Sequence, residues 1–249
     1  MRKFGLIGYP LSHSFSQRYF TEKFEREQIP GCEYRAYSIP AIEELEGLLA
    51  GEPLLAGLNV TIPYKQQVMQ YLDVLDPVVS RIQACNCIAI RDGKLYGYNT
   101  DVVGFRDSLR KKLGPGHDRA LVLGTGGASK AVEYVLEELG IPYRMVSRTA
   151  AADTGTLGYA DIDADMMASH RLVINTTPLG MYPKVEEFPP LPYEAVGAGH
   201  YFFDLVYNPE RTAFLGLGME RGAVVENGYE MLIGQAEESW RIWNRGDEL

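Results

Sequence analysis

Two groups of residues in this chain have the types and spacing to do chemistry. The first is a turn of small residues, Gly124-Thr125-Gly126-Gly127-Ala128-Ser129, between an apolar run at 120–123 and a helical pattern at 130–139. Such a strand–turn–helix lets the backbone approach a pyrophosphate and offers it the N–H groups and partial positive charge of a helix N-terminus. Ser129 stands where the usual fingerprint has its third glycine, and a tight turn without a ligand would read the same way. About 20 residues past such a turn an NAD site wants an acid for the ribose hydroxyls. Here the position reads Ser147-Arg148-Thr149, with no carboxylate before Asp153. A guanidinium at Arg148 suits a 2′-phosphate, and hence NADP, although a surface arginine needs no ligand. Asn175-Thr176-Thr177-Pro178-Leu179-Gly180-Met181 ends another apolar run of the same expected sheet. Carboxyl ends of strands border the ligand crevice, so this loop is expected on the nicotinamide side.

The second group consists of small polar side chains at the ends of apolar runs in the first half: Ser14, Ser16, Asn59, Thr61, Asn86, Asn99 and Asp101. Each has a plain reading as a helix cap or strand filler. Together they form a set of neutral donors and acceptors suited to a small polyhydroxylated ligand. Lys65 follows Pro63 in what reads as the first turn of a helix over 64–71. A cation there opposes the macrodipole, an arrangement suited to proton transfer, though a hydrated lysine fits as well. Gln235 shares a helical face with Met231, Leu232, Ala236, Trp240 and Trp243, so its amide needs a partner, protein or ligand.

The elements that would position these residues alternate between strand and helix. Strands are expected at 4–8, 34–39, 57–62, 85–91 and 94–99, with a hairpin at Asp92-Gly93. Helices are expected at 16–28, 42–49, 64–71, 77–83 and 101–113. Gly114-Pro115-Gly116 then breaks the chain. Beyond it, strands are expected at 120–123, 143–147, 172–175, 201–205 and 223–226, and helices at 130–139, 211–220 and 229–243. The pattern predicts two α/β domains with mostly parallel sheets.

Composition limits the partners. The 249 residues carry 24 basic and 33 acidic side chains, a net charge of −9, which argues against a nucleic-acid or anionic-membrane binder. No apolar run approaches the ~18 residues of a membrane span, and the basic-then-apolar start is too short for a signal peptide. These features favour a soluble, cytoplasmic protein. Cys32, Cys85 and Cys87 imply no disulfide framework, and with only 4 histidines, none at ligand spacing, they read as core thiols with no metal site.

The chain resembles the shikimate dehydrogenase family over nearly its whole length. The resemblance is carried by residues 8–16 (GYPLSHSFS), 59–65 (NVTIPYK), Asn86, 97–104 (GYNTDVVG), 124–129, 147–149, 175–181, Asp204-Leu205-Val206-Tyr207 and 231–236 (MLIGQA). It implies NADPH-dependent, reversible reduction of 3-dehydroshikimate to shikimate in aromatic amino-acid biosynthesis, by a monomer or homodimer. It implies Lys65 and Asp101 as the catalytic pair, and Ser14, Ser16, Thr61, Asn86, Asp101, Tyr207 and Gln235 as substrate ligands. Gly124, Gly126, Gly127, Ala128, Ser147, Arg148, Thr149, Thr176, Leu205 and Gly228 are the implied cofactor-binding residues. The implied fold is an N-terminal mixed α/β substrate domain plus a Rossmann-like dinucleotide-binding domain, with a C-terminal helix returning to the first. The boundaries expected are 1–102 with 229–249, and 103–228, with both ligands in the cleft between.

Three departures from the family stand out. Phe15 replaces a lysine often found between the two serines. Ala150-Ala151-Ala152 stand where many relatives place a second basic residue. Only 9 residues separate Ser147 from Leu157, short of the ~10–12 that a helical crossover requires, so a loop without a helix is expected there. Two other readings are a quinate/shikimate dehydrogenase using NAD, whose ribose acid is missing here, and a catalytically silent dinucleotide-binding sensor, against which Lys65 and Asp101 count.

Overall fold

A strand buried on both faces must be almost wholly apolar, and the first strand meets that demand. In the computed structural model, which describes residues 1–11, 15–151 and 153–245, β1 (Arg2–Gly8) runs parallel to β2 (Cys32–Ser38) on one side and β3 (Leu55–Val60) on the other. Its residues from Phe4 to Gly8 are all buried, as expected of a central strand. β3 then pairs antiparallel with β5 (Cys87–Arg91), and β5 with β6 (Lys94–Tyr98). Asp92 and Gly93 both take positive φ in the hairpin between them, the conformation that an Asp-Gly turn supplies. A two-residue strand, β4 (Val74–Leu75), closes the sheet in the order β2-β1-β3-β5-β6-β4.

Each face of this sheet is covered. On one side α2 (Glu44–Gly51) and α3 (Pro77–Ile82) contribute Leu45 and Val79 to a cluster with Ile7, Leu58 and Ile88. The Asp76 side chain caps α3 by accepting from Val78 N–H at 2.8 Å. On the other side α1 (Phe15–Arg26) brings Phe20 and Phe24 against Phe4 and Tyr34, with the Phe20 and Tyr34 rings stacked 4.6 Å apart. Trp243, near the end of α8 (Tyr229–Asn244), stacks on Phe4 at 4.8 Å and donates to Ile88 O at 2.9 Å. The returning helix is thereby fastened to the first sheet by packing and by a satisfied indole N–H.

The second sheet is entirely parallel. β7 (Ala120–Leu123), β8 (Tyr143–Ser147), β9 (Leu157–Gly158), β10 (Leu172–Asn175), β11 (Tyr201–Asp204) and β12 (Val224–Glu226) lie in the order β12-β11-β10-β7-β8-β9. This is the doubly wound order of a Rossmann sheet, with its switch point between β7 and β10. All residues of β7, β10 and β11 are buried. The helices of this unit are α4 (Asp101–Arg110), α5 (Gly127–Glu138), α6 (Ala164–Ser169) and α7 (Ala213–Glu220).

Contacts divide the chain into Met1–Thr100 with Ala236–Leu249, and Asp101–Gln235. The divisions thus fall at 100/101 and 235/236, against 102/103 and 228/229 expected from sequence. The first seven residues of α8 belong with the second unit.

Two local expectations have definite outcomes. The residues described between β8 and β9 form no helix. Instead Ala151 and Thr156 exchange backbone hydrogen bonds of 2.9 and 3.1 Å across a tight turn. The α-helix expected over 64–71 does not form. Residues 63–66 are turn, only Gln67–Tyr71 is helical, as a 3-10 turn, and the Lys65 carbonyl accepts from Cys85 N–H at 2.8 Å. That tertiary bond takes the place of an intrahelical one, so the macrodipole argument for Lys65 does not hold.

Candidate active site

In the first unit, the expected polar residues meet in a buried chain of hydrogen bonds. Ser16, in the first turn of α1, bonds the Tyr34 hydroxyl, which donates to Asn59 Oδ1 at 2.9 Å. Asn59 Nδ2 donates to Ser239 Oγ at 2.9 Å, and Ser239 Oγ lies 3.2 Å from Thr100 Oγ1. Asn86 completes the chain, donating through Nδ2 to Thr100 Oγ1 at 3.0 Å and accepting from Thr100 N–H at 2.6 Å. Burial pushes the Tyr34 phenol well above its ordinary range, so it stays a neutral donor. A buried hydrogen-bond network of this kind fixes side chains in place. It ties β2, β3, the residue before β5 and α8 to Thr100, the residue directly before Asp101.

Thr61 and Lys65 sit half-buried where β3 ends. Thr61 N–H donates to Ile7 O, and Thr61 O accepts from Tyr64 N–H, both at 2.9 Å. Asp101 opens α4, where a carboxylate is favoured by the helix N-terminus. Gln235 is buried and donates to Leu232 O at 3.0 Å. Its amide therefore has the protein partner that an apolar stripe required. Ser14 lies outside the described residues. Cys85 and Cys87 are buried free thiols, and Cys32 is a half-buried one. The described residues contain no group of three metal-ligating side chains.

In the second unit, the glycine turn sits at the switch point. Gly124 has φ +104°, and a Cβ there would come within 2.7 Å of Thr176 Oγ1. Only glycine meets both conditions. At Gly126 and Gly127 a Cβ would meet nothing within 4 Å, so open space lies in front of the first turn of α5. Ser129 N–H in that turn donates to Gly126 O at 3.1 Å; the N–H groups before it, at the helix N-terminus, are placed to serve an anion. Ser129 is buried; its hydroxyl donates to Gly126 O at 2.9 Å. It closes the turn in place of the third glycine. Ser147, half-buried, accepts from Thr149 N–H at 3.3 Å, and Arg148 and Thr149 are exposed past the end of β8. Asp153, the first carboxylate beyond, is spent on its own turn, accepting from Thr154 N–H at 3.0 Å.

The loops after β10 and β11 complete this edge. Thr176 Oγ1 donates to Leu123 O at 2.8 Å, joining the ends of β10 and β7. Leu205 N–H donates to Asn175 O at 2.9 Å. Gly228, buried before α8, lies so close that a Cβ would fall 2.1 Å from Leu205 O. Tyr207 is exposed on the loop after β11.

The sequence alone singles out neither Tyr34 nor Ser239, and it marks Asp204 only as part of the motif Asp204-Leu205-Val206-Tyr207, without a role. Asp204 had a usable signal, a carboxylate closing the run Tyr201-Phe202-Phe203. Tyr34 and Ser239 had none, since a tyrosine in a strand and a serine on a helix are ordinary.

An all-parallel sheet of this order with a glycine turn at its switch point defines a dinucleotide-binding α/β unit, here on one chain with a second α/β unit rich in buried amides and hydroxyls. Comparison with known proteins narrows the class. Residues 6–88 match the profile of the shikimate dehydrogenase substrate binding domain. The shikimate dehydrogenase (NADP(+)) of Clostridium beijerinckii is 37% identical over 98% of this chain and 92% of its own length. That of Ignicoccus hospitalis is 33% identical over 96% and 92%. A Thermus thermophilus shikimate 5-dehydrogenase, solved in complex with NADP(H) and shikimate, superposes with TM-score 0.86 at 31% identity, covering 98% of this chain and 94% of that one. The chain belongs to the shikimate dehydrogenase family.

Proposed function

We propose that this chain reversibly reduces 3-dehydroshikimate to shikimate with NADPH, in the biosynthesis of aromatic amino acids and in the cytoplasm. The observation that carries this reading is its likeness to NADP-dependent relatives across both units, 37% identity over 98% of the chain. The open space before Gly126 and Gly127 supports it, because a Cβ there would meet nothing and the backbone is open to the approach of a pyrophosphate. When bound, the dinucleotide supplies the hydride.

The chain's own residues supply alignment and the proton. As the ketone oxygen gains alkoxide character, the Lys65 ammonium donates to it, and Asp101 is the carboxylate that holds that ammonium. Ser14, Ser16, Thr61, Asn86, Asp101, Tyr207 and Gln235 hold the polyhydroxylated ring. Gly124, Gly126, Gly127 and Ala128 receive the pyrophosphate, and Ser147, Arg148 and Thr149 the 2′-phosphate. Thr176, Leu205 and Gly228 border the nicotinamide half. The substrate domain in this reading is 1–102 with 229–249, the cofactor domain 103–228, and the enzyme a monomer or homodimer.

The test is steady-state turnover of 3-dehydroshikimate with NADPH and with NADH, then the reverse reaction with shikimate and with quinate. Preference for NADPH and shikimate supports the reading. Preference for NADH with quinate points instead to a quinate/shikimate dehydrogenase, and binding without turnover to a sensor.

A further inference from the structure

The carboxylate of Asp204 is fully buried at the carboxyl end of β11, where an unpaired charge would be costly. Three donors converge on it. Asn175 Nδ2 donates to Oδ1 at 2.9 Å, Val206 N–H to Oδ1 at 3.0 Å, and Thr212 Oγ1 to Oδ2 at 2.6 Å. Each donor carries a further link. Asn175 Oδ1 accepts from Thr177 N–H at 3.0 Å and from Thr177 Oγ1 at 2.6 Å. Thr212 caps α7, its hydroxyl oxygen accepting from Leu215 N–H at 3.4 Å. A backbone bond from Tyr182 N–H to Asn208 O at 3.2 Å runs alongside. One carboxylate thus joins the loop after β10, the loop after β11 and the start of α7.

We infer that Asp204 is a positioning residue whose ionised side chain holds the loops bearing Thr176 and Leu205 in their dinucleotide-binding arrangement. The inference rests on the reading that this unit binds NADPH. Hydrogen-bond arithmetic gives the reason a charge is needed: a carboxylate accepts at both oxygens, whereas a carboxyl group or an amide turns one of its atoms into a donor. The neutral form can meet Thr212 only by donating to its hydroxyl oxygen, which reverses that bond, leaves the Thr212 proton without this acceptor and removes the charge from all three bonds, so the ties between the loops weaken. Burial raises the Asp204 pKa from 3.8 to about 6, against the pull of its three hydrogen bonds, so the change of state falls in an accessible range. Among the described residues, the Tyr193 phenol is coupled electrostatically to Asp204; burial raises it and keeps it neutral throughout that range, and it donates to Pro189 O at 2.8 Å. The Asn175, Val206 and Thr212 partners do not titrate.

The experiment is fluorescence titration of NADPH binding to wild type, Asp204→Asn, Thr212→Ser and Thr212→Val, from about pH 5 to about pH 8. The 2′-phosphate of the ligand titrates near pH 6 as well, so the readout is the ratio of each variant's Kd to that of wild type at the same pH. Asp204→Asn is expected to bind about tenfold more weakly at pH 8, the effect of about one lost charge-assisted hydrogen bond. The ratio should fall toward one near pH 5, where wild type has lost the charge too. Thr212→Ser should match wild type and Thr212→Val should follow Asp204→Asn, with kcat at saturating cofactor changed far less than Kd. A ratio of one at every pH, or a ratio that does not vary with pH, overturns the inference. If Asp204→Asn fails to fold, equal affinities of the Thr212→Ser and Thr212→Val proteins overturn it instead. Wild type that binds no NADPH overturns the functional reading itself.

Discussion

Asn86 grips Thr100 by both ends of its amide, accepting from the Thr100 N–H at 2.6 Å and donating to its hydroxyl oxygen at 3.0 Å. Thr100 ends the first segment of the first unit, and Asp101 begins α4. The grip fixes the point from which the proposed catalytic carboxylate departs. Asn86→Ala would remove the acceptor of the buried Thr100 N–H and one of the partners of its hydroxyl, which keeps Ser239, at a cost of ~1–3 kcal/mol. Urea denaturation should show a lower midpoint, with a lower kcat for shikimate oxidation at a temperature where the variant is folded. An unchanged midpoint would mean that the grip contributes nothing to stability.

Arg148 is exposed beyond the end of β8, with no second basic residue in the three alanines that follow. Arg148→Ala is expected to raise the KM for NADPH by on the order of tenfold or more, the cost of losing the charge-assisted pair proposed with the 2′-phosphate. The KM for NADH should barely move. Equal losses with both cofactors, measured by initial rates, would make Arg148 a structural residue.

Much of this architecture is legible in the sequence because parallel strands buried on both faces must be continuous apolar runs. Residues 120–123, 143–147 and 172–175 mark their strands to the residue. The nine-residue spacing after Ser147 also declared its missing helix, since chain length alone forbids one. Two-residue strands such as Val74–Leu75 and Leu157–Gly158 are too short to carry a period. α6 was overlooked although Asp163 caps it by accepting from Met166 N–H at 2.8 Å. At Lys65 the proline suggested a helix start, but a backbone bond from Cys85, 20 residues away, decided the local conformation. Of the buried network, Ser16, Asn59 and Asn86 stood out as polar residues at the ends of apolar runs or within them. Tyr34 and Ser239 are recognisable only once the strands and α8 are assembled.

Trp243 holds the C-terminal end of α8 to the first sheet by stacking on Phe4 and donating to Ile88 O. Trp243→Ala should cost ~3–5 kcal/mol, the usual range for emptying a buried aromatic site. Trp243→Phe should cost clearly less, because most of the packing stays and only the indole donor is lost. The two values come from chemical denaturation, and equal losses would show that the hydrogen bond outweighs the packing.

Asp204 also gives stability a signature in pH. Its folded pKa, about 6, lies above the ordinary 3.8 because burial disfavours the charge. Stability from this group is therefore complete below about pH 4 and is lost as pH rises through about 6, a change on the order of 3 kcal/mol. Asp204→Asn cannot ionise and escapes that loss. The variant's Tm minus that of wild type should therefore rise between about pH 5 and about pH 8. A difference that is flat or falls with pH would show that the carboxylate is not strained by its burial.

The role of Lys65 as proton donor is decided by kcat for NADPH-dependent reduction of 3-dehydroshikimate, compared between wild type and Lys65→Ala. Thermal melts run beside the kinetics should coincide, since Lys65 is half-buried in a turn and belongs to no apolar cluster. The kcat of Lys65→Ala should be lower by ~10²–10⁴, the range for a lost general acid. The KM for 3-dehydroshikimate should change far less, because the residues proposed to hold the ring remain. A Lys65→Ala protein that melts like wild type and keeps its kcat would remove Lys65 from the chemistry.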